Sequence, residues 1–273
     1  MKKEEIFKQL KDNKHLLITQ KKSQLKTADA IFFTPSFANK KDKTNKEVDL
    51  TDVENIGEIT VKAVINSCNI LDSHGDVHIS GLWKKSLNEQ SKNRPLYLLQ
   101  EHQMKFDKII TDNLTATIQL IKWVDLGFSY DGKTECLIFD AVICDDRNPY
   151  MFGQYLSGYV KNHSVGMQYI NLFLCINSDE KYYAEEKADF DKYYPLVVNK
   201  DAVDEQGYFW AVTEAKLIEG SAVPIGSNTA TPTLEITNPK PDEVEDEEEY
   251  QEPMVITPEK TEPVQTTQRK RRN

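Results

Sequence analysis

The sequence predicts an α+β fold in which antiparallel strands outnumber a few helices, with two termini that lack a core of their own. Three observations predict it. Strand-period alternation recurs along residues 55–228, only two or three short segments read as helix, and periodicity stops after Asn228, where Pro, Glu, Thr and Gln take over. Many strands with few helices favour an antiparallel sheet or barrel over a doubly wound sheet.

The elements follow in chain order. Residues 1–54 read as a weak helix and then a lysine-rich loop, a leader outside the core. The core opens near Ile56, where Ile59, Val61, Ala63 and Ile65 alternate as a strand does. Asp72-Ser73-His74-Gly75-Asp76 is turn chemistry, and Trp83 and Leu87 lie four apart on a short amphipathic helix. Arg94 to Glu101 reads as a strand with His102 at its end, and further strands fit Thr115–Val124 and Glu135–Cys144. Asn148-Pro149 opens a helix over Tyr150–Val160, because asparagine caps the first turn and proline suits the first helical position. His163–Ile176 is the longest strand candidate and carries apolar residues on both faces, so it is expected to be covered on both sides. Residues 177–206, charged and tyrosine-rich, read as an insertion or long loop. Tyr208–Ile218 is the last strong strand, and 229–273 reads as a disordered acidic tail with a basic end.

Charge belongs to the ends more than to the core. The net charge is −10, yet the first 46 residues hold twelve lysines against five acids, and Asp242–Glu252 holds eight acids and no base. A lysine-rich arm attracts nucleic acid, but no aromatic or glycine-rich pattern accompanies this one. It reads as a solvated, partly helical leader, and nucleic acid is not an expected partner. No 18-residue apolar run and no apolar N-terminal stretch occur, so neither a membrane span nor a signal peptide is expected. Cys68, Cys136, Cys144 and Cys175 are scattered without a CxxC pair, so they read as reduced small hydrophobes and not as a zinc set or a disulfide framework.

Hydrolysis by a serine needs an imidazole within reach of the hydroxyl and a third group that fixes the imidazole. Five histidines exist. His15 lies in the leader, and His163 adjoins Ser164, so on a strand it points to the opposite face. His74, His78 and His102 remain, and His102 sits at a strand end, where a side chain is both rigid and accessible.

Four segments resemble, in order, the prohead protease family of tailed phages. Asp72 to Trp83 resembles its D-x-x-G-D-x-x-x-x-G-A-F entry segment, with Leu82 in place of the alanine. Arg94 to His102 resembles the strand that ends in that family's catalytic histidine. The helix over 148–160 followed by His163-Ser164-Val165-Gly166-Met167 resembles its helix and x-S-[IV]-G-[FY], with Met167 in place of the aromatic. Lys216 to Pro224 resembles L-x-E-x-S-x-V-P, and Asn228 stands near the usual P-A-N, which Ile225-Gly226-Ser227 interrupts. Together these cover about 55–228.

The resemblance implies a mostly antiparallel β-barrel wrapped by a few helices, as in herpesvirus assembly proteases. It implies a serine endopeptidase that trims scaffold and major capsid protein extensions inside the assembling prohead in the host cytoplasm, that often cleaves itself, and that is often a homodimer. Ser164 is then the nucleophile and His102 its base. No histidine follows Ser164, so an acid is expected as third member, with Glu219 the candidate and Asp140 in reserve. No cofactor and no metal is expected. Two rival readings stand beside this one: a non-enzymatic scaffold or capsid-binding protein on the same fold, and a metal site on Asp72, His74, Asp76 and His78, alternate positions that share a strand face. Gly166 reads either as room for an approaching substrate or as a strand bulge. The oxyanion donors stay open between backbone N–H groups near Ser164 and Arg147.

Overall fold

A computed structural model describes residues 2–23, 25–26, 57–90 and 95–237. These form a mixed α+β fold with six α-helices among the described residues: α1 (Lys3–Asp12), α2 (Lys14–Ser23), α3 (Lys84–Gln90), α4 (Pro149–Leu156), α5 (Ala184–Tyr193) and α6 (Lys200–Gln206). The strands are β1 (Leu25–Lys26), β2 (Glu58–Ser67), β3 (Asp76–His78), β4 (Leu98–Gln100), β5 (Ile109–Thr111), β6 (Leu114–Lys122), β7 (Lys133–Cys144), β8 (Asn162–Ile176), β9 (Tyr208–Val223) and β10 (Thr233–Thr237).

The strands make two sheets. One runs β1-β8-β9-β4-β5, with β3 also paired to β9; the other runs β10-β2-β7-β6. Pairing is antiparallel except where β3 and β4 lie parallel to β9. Ile59, Val61 and Phe139 of the second sheet share one core with Val165, Met167 and Leu217 of the first, and Phe152 and Tyr155 of α4 join it. The sheets also meet at a corner. Pro232 bridges Asn162 of β8, and its carbonyl accepts the Val64 N–H of β2, so one proline ties the two sheets there.

The predicted strands at residues 56–65, 115–124, 135–144 and 163–176 are present with ends shifted by a few residues. The helix expected over 150–160 starts as predicted, since the Asn148 side chain accepts the Met151 N–H at 3.1 Å. It stops at Leu156, where the chain turns through Gly158 at φ 68°. That left-handed conformation suits glycine and ends a helix.

Three expectations need correction. The leader is not merely solvated: Phe7 is buried against Tyr183 and Tyr208, and Lys11 and Lys14 reach the buried Glu186 at 2.6 and 2.7 Å. Residues 177–206 are not a loop but α5 and α6, whose Phe190, Tyr193 and Val203 build a second core with Phe209 and Cys175. The tail does not begin at 229, because β10 pairs with β2 at the edge of the second sheet. The charged stretch 242–252 and the basic end lie outside the described residues, as do residues 27–56.

Candidate active site

Strand pleating decides which side chains share a face. In the antiparallel β8–β9 pair, Ser164 lies opposite Ser221 and Gly166 opposite Glu219. Partners directly across an antiparallel pair point to the same side, so these four positions form one patch. The intervening Val165 and Gly220 face the core, where a Cβ on Gly220 would come within 2.5 Å of the Phe139 ring. Glu219 to Val223, expected just beyond a strand, are the last residues of β9.

β4 extends the patch. Leu99 lies beside Ser221 in the parallel β4–β9 register, so the row Ser164, Ser221, Leu99 crosses three strands. Arg94, where the predicted strand begins, lies outside the described residues; of Pro95 to Glu101, β4 covers Leu98–Gln100. The chain then turns sharply: Glu101 and His102 both hold positive φ, 53° and 57°. Left-handed backbone at two successive non-glycine residues costs on the order of 1–3 kcal/mol each and persists where the surroundings enforce it. The enforcement is visible here. The Glu101 N–H donates to the Ala222 carbonyl at 3.0 Å, and the His102 N–H donates to Ser221 Oγ at 3.0 Å.

This turn folds the His102 ring onto Glu219, with Nδ1 2.5 Å from Oε1. The other carboxylate oxygen, Oε2, accepts the Ser221 hydroxyl at 2.7 Å. His102, Glu219 and Ser221 therefore close a ring of hydrogen bonds. A carboxylate only accepts, so Nδ1 carries a proton toward Glu219, and in the neutral tautomer with that proton the lone pair lies on Nε2. That Nε2 is buried and has no hydrogen-bond partner among the described residues. The Ser164 side chain, 4% exposed, makes no hydrogen bond among them either.

So Glu219 is joined to His102 directly. Ser164 shares their face and sits across from Ser221, the residue that accepts the His102 N–H, but no hydrogen bond joins His102 to Ser164. Ser221 is the site residue to which sequence reasoning assigns no role. A signal for it exists: it falls two residues after the candidate acid, in a segment that forms strand.

The glycine at 166 has a definite function. A Cβ there would fall 1.9 Å from Glu219 Oε1, so only glycine leaves the carboxylate its place. The pairing also shifts register between Gly166 and Met167, a bulge. His163 takes the opposite face, as expected: it is fully buried, with Nε2 3.0 Å from the Tyr155 hydroxyl. Burial lowers its pKa to about 4, so it is a neutral core group at ordinary pH.

Other candidates fall elsewhere. Asp140 lies in the second sheet beside Lys62, at 3.3 Å, and not at His102. Arg147 faces Asp112 at 3.8 Å. Asp72, Asp76 and His78 do gather, all buried, with one ligand-type atom each within 4.8 Å of one another. However, the Lys21 ammonium already sits 2.7 Å from Asp76 Oδ1, Tyr169 donates to Oδ2, and Asp72 Oδ1 accepts the N–H groups of His74 and Asp76. That cluster is wired as the anchor that holds α2 and the β3 turn onto the sheet.

Comparison with known proteins gave no matching family model, no matching curated protein and no matching solved structure.

Proposed function

We propose that this chain is a serine endopeptidase in which Ser164 is the nucleophile, His102 the general base and acid, and Glu219 the group that orients and balances the imidazole. The observation that carries the reading is the His102–Glu219 pair, with its free Nε2, on the sheet face that also bears an unengaged serine hydroxyl. Four sequence segments spaced as in phage prohead proteases support it from a separate direction.

The chemistry follows from the atoms. Ser164 Oγ attacks the scissile carbonyl carbon while Nε2 of His102 takes its proton, and the developing imidazolium is stabilised by Glu219. Collapse of the tetrahedral intermediate breaks the C–N bond, and His102 returns the proton to the leaving amine. Water then attacks the acyl ester with the same base, which regenerates the serine. Ser221 takes no part in bond making; it holds the His102 backbone and the second oxygen of Glu219.

On this reading the two core-sharing sheets, tied through Pro232, are the antiparallel barrel of an assembly protease, with α1–α6 around it. The substrates are the scaffold and the extension of the major capsid protein, cut inside the assembling prohead in the host cytoplasm. Self-cleavage and a homodimer belong to the same proposal.

The test is co-expression with the capsid and scaffold proteins of the same phage. Ser164→Ala is expected to abolish trimming of the capsid extension, a loss on the order of 10⁴–10⁶ in turnover, while the circular dichroism spectrum stays that of the parent. Trimming at the parent rate by this variant would remove Ser164 as nucleophile and leave the scaffold-type assembly protein as the reading of this fold.

A further inference from the structure

We propose that the hollow lined by Tyr97, Leu99, Met104, Lys105, Phe106 and Ile109 is a specificity subsite that receives one large apolar side chain of an extended peptide substrate. The inference rests on the protease reading and adds to it the class of side chain selected and its distance from the cut bond.

Three observations carry it. The first is position. Leu99 forms part of the hollow and also ends the row that begins at Ser164 and passes through Ser221, on the same sheet face. Leu99 is two strands from Ser164. Neighbouring strands lie about 4.8 Å apart, so the hollow begins roughly 10 Å from the hydroxyl, and an extended peptide advances about 3.3 Å per residue. The side chain that fills it therefore belongs to a residue about three positions from the scissile bond.

The second observation is the exposure of the walls. Phe106 is 93% and Met104 59% exposed. A single exposed apolar side chain is ordinary, but here two stand together beside a hollow, two and four residues after His102. They are held out by structure and not by slack chain. The Gln103 N–H donates to Gln100 O at 3.0 Å, that of Lys105 to Gln103 O at 2.9 Å and that of Lys108 to Lys105 O at 2.9 Å, and a short 3-10 turn leads into β5. The same turn that brings the His102 ring onto Glu219 thus presents this apolar pair.

The third is size and chemistry. The cavity is about 170 Å³, below the roughly 300–1,000 Å³ of pockets that enclose whole small molecules. It suits one side chain. Five of its six residues contribute aliphatic or aromatic surface, and Lys105 can lay its methylenes along an apolar guest while its ammonium stays in water.

Two measurements test the subsite and separate its failure from that of the protease reading. In the first, full-length Ser164→Ala protein labelled at methionine, leucine and isoleucine methyls is titrated with N-acetyl-phenylalanine amide and, separately, N-acetyl-serine amide. The Met104, Leu99 and Ile109 methyl signals are expected to shift with the phenylalanine compound only, and the shift is expected to shrink in a Phe106→Ala background. Equal response to both compounds, or none, overturns the subsite whatever the enzyme does. In the second, the active chain digests a mixed peptide pool. One position about three residues from the cut is expected to select large apolar side chains, and Phe106→Ala is expected to reduce that selection roughly ten- to hundredfold in kcat/KM. Selection unchanged by Phe106→Ala overturns the subsite. Methyl shifts with no peptide cleaved would retain the subsite as a peptide-binding hollow and remove the protease reading.

Discussion

A carboxylate as buried as Glu219, 1% exposed, needs a partner on each oxygen, and it has one from His102 and one from Ser221. This double engagement fixes which imidazole nitrogen carries the proton. Glu219→Gln tests it with little change in shape. An amide offers one oxygen and one NH₂ where two acceptors are required, so either Nδ1 or the Ser221 hydroxyl meets a donor. The expected result is a fall in kcat of about 10²–10⁴ with a parent-like fold, checked by active-site titration and circular dichroism. A variant as active as the parent would contradict the orienting role. At this scale sequence is informative where chemistry is local. Ser164, His102 and Glu219 stand out through their segments, and His163 is excluded as base by strand alternation alone. Ser221 is marked in the sequence only by its place two residues after the candidate acid; its role is not legible, because that depends on a contact with residue 102 across 119 positions.

β8 and β9 are the elements that make the patch. Alternation along β8 is enough to put Ser164 and Gly166 on one face. Register cannot be read the same way, since nothing local says that Gly166 faces Glu219. That pairing explains the glycine, and Gly166→Ala tests it. The new methyl would occupy the position of Oε1, so the carboxylate must leave its bond to His102. We expect a destabilisation of roughly 1–3 kcal/mol in urea denaturation together with loss of cleavage. Gly153→Ala in α4, where a Cβ meets nothing within 4 Å, is the control and should leave both unchanged or slightly improve stability. Equal behaviour of the two variants would show that the close approach at Gly166 has no consequence. β4 teaches the opposite lesson. Its apolar run suggests a strand reaching to residue 101, but the left-handed turn at Glu101 and His102 cuts it short, and the tertiary bonds to Ala222 and Ser221 explain that turn.

At the scale of the whole molecule, composition misleads about the ends. Twelve lysines in the first 46 residues suggest a solvated arm, yet Lys11, Lys14 and Lys21 find buried carboxylates at Glu186 and Asp76. Those pairs span 175, 172 and 55 positions, so no window of sequence contains both partners. The same holds for β10, whose five residues look like tail until β2 offers an edge. Mixed α+β architecture is legible from the count and period of the strands; the docking of the leader and of α5 and α6 is not. What the fold achieves is a convergence of three separate stretches, near residues 102, 164 and 220, on one side of a sheet. The most direct measurement of that convergence is covalent capture with a fluorophosphonate, in which the serine oxygen displaces fluoride from phosphorus and the imidazole takes the proton. Mass spectrometry of the intact and digested chain should find a single adduct on Ser164, absent in Ser164→Ala and slowed at least a hundredfold in His102→Ala. No adduct on the folded parent chain, or an adduct formed equally fast without His102, would contradict the account.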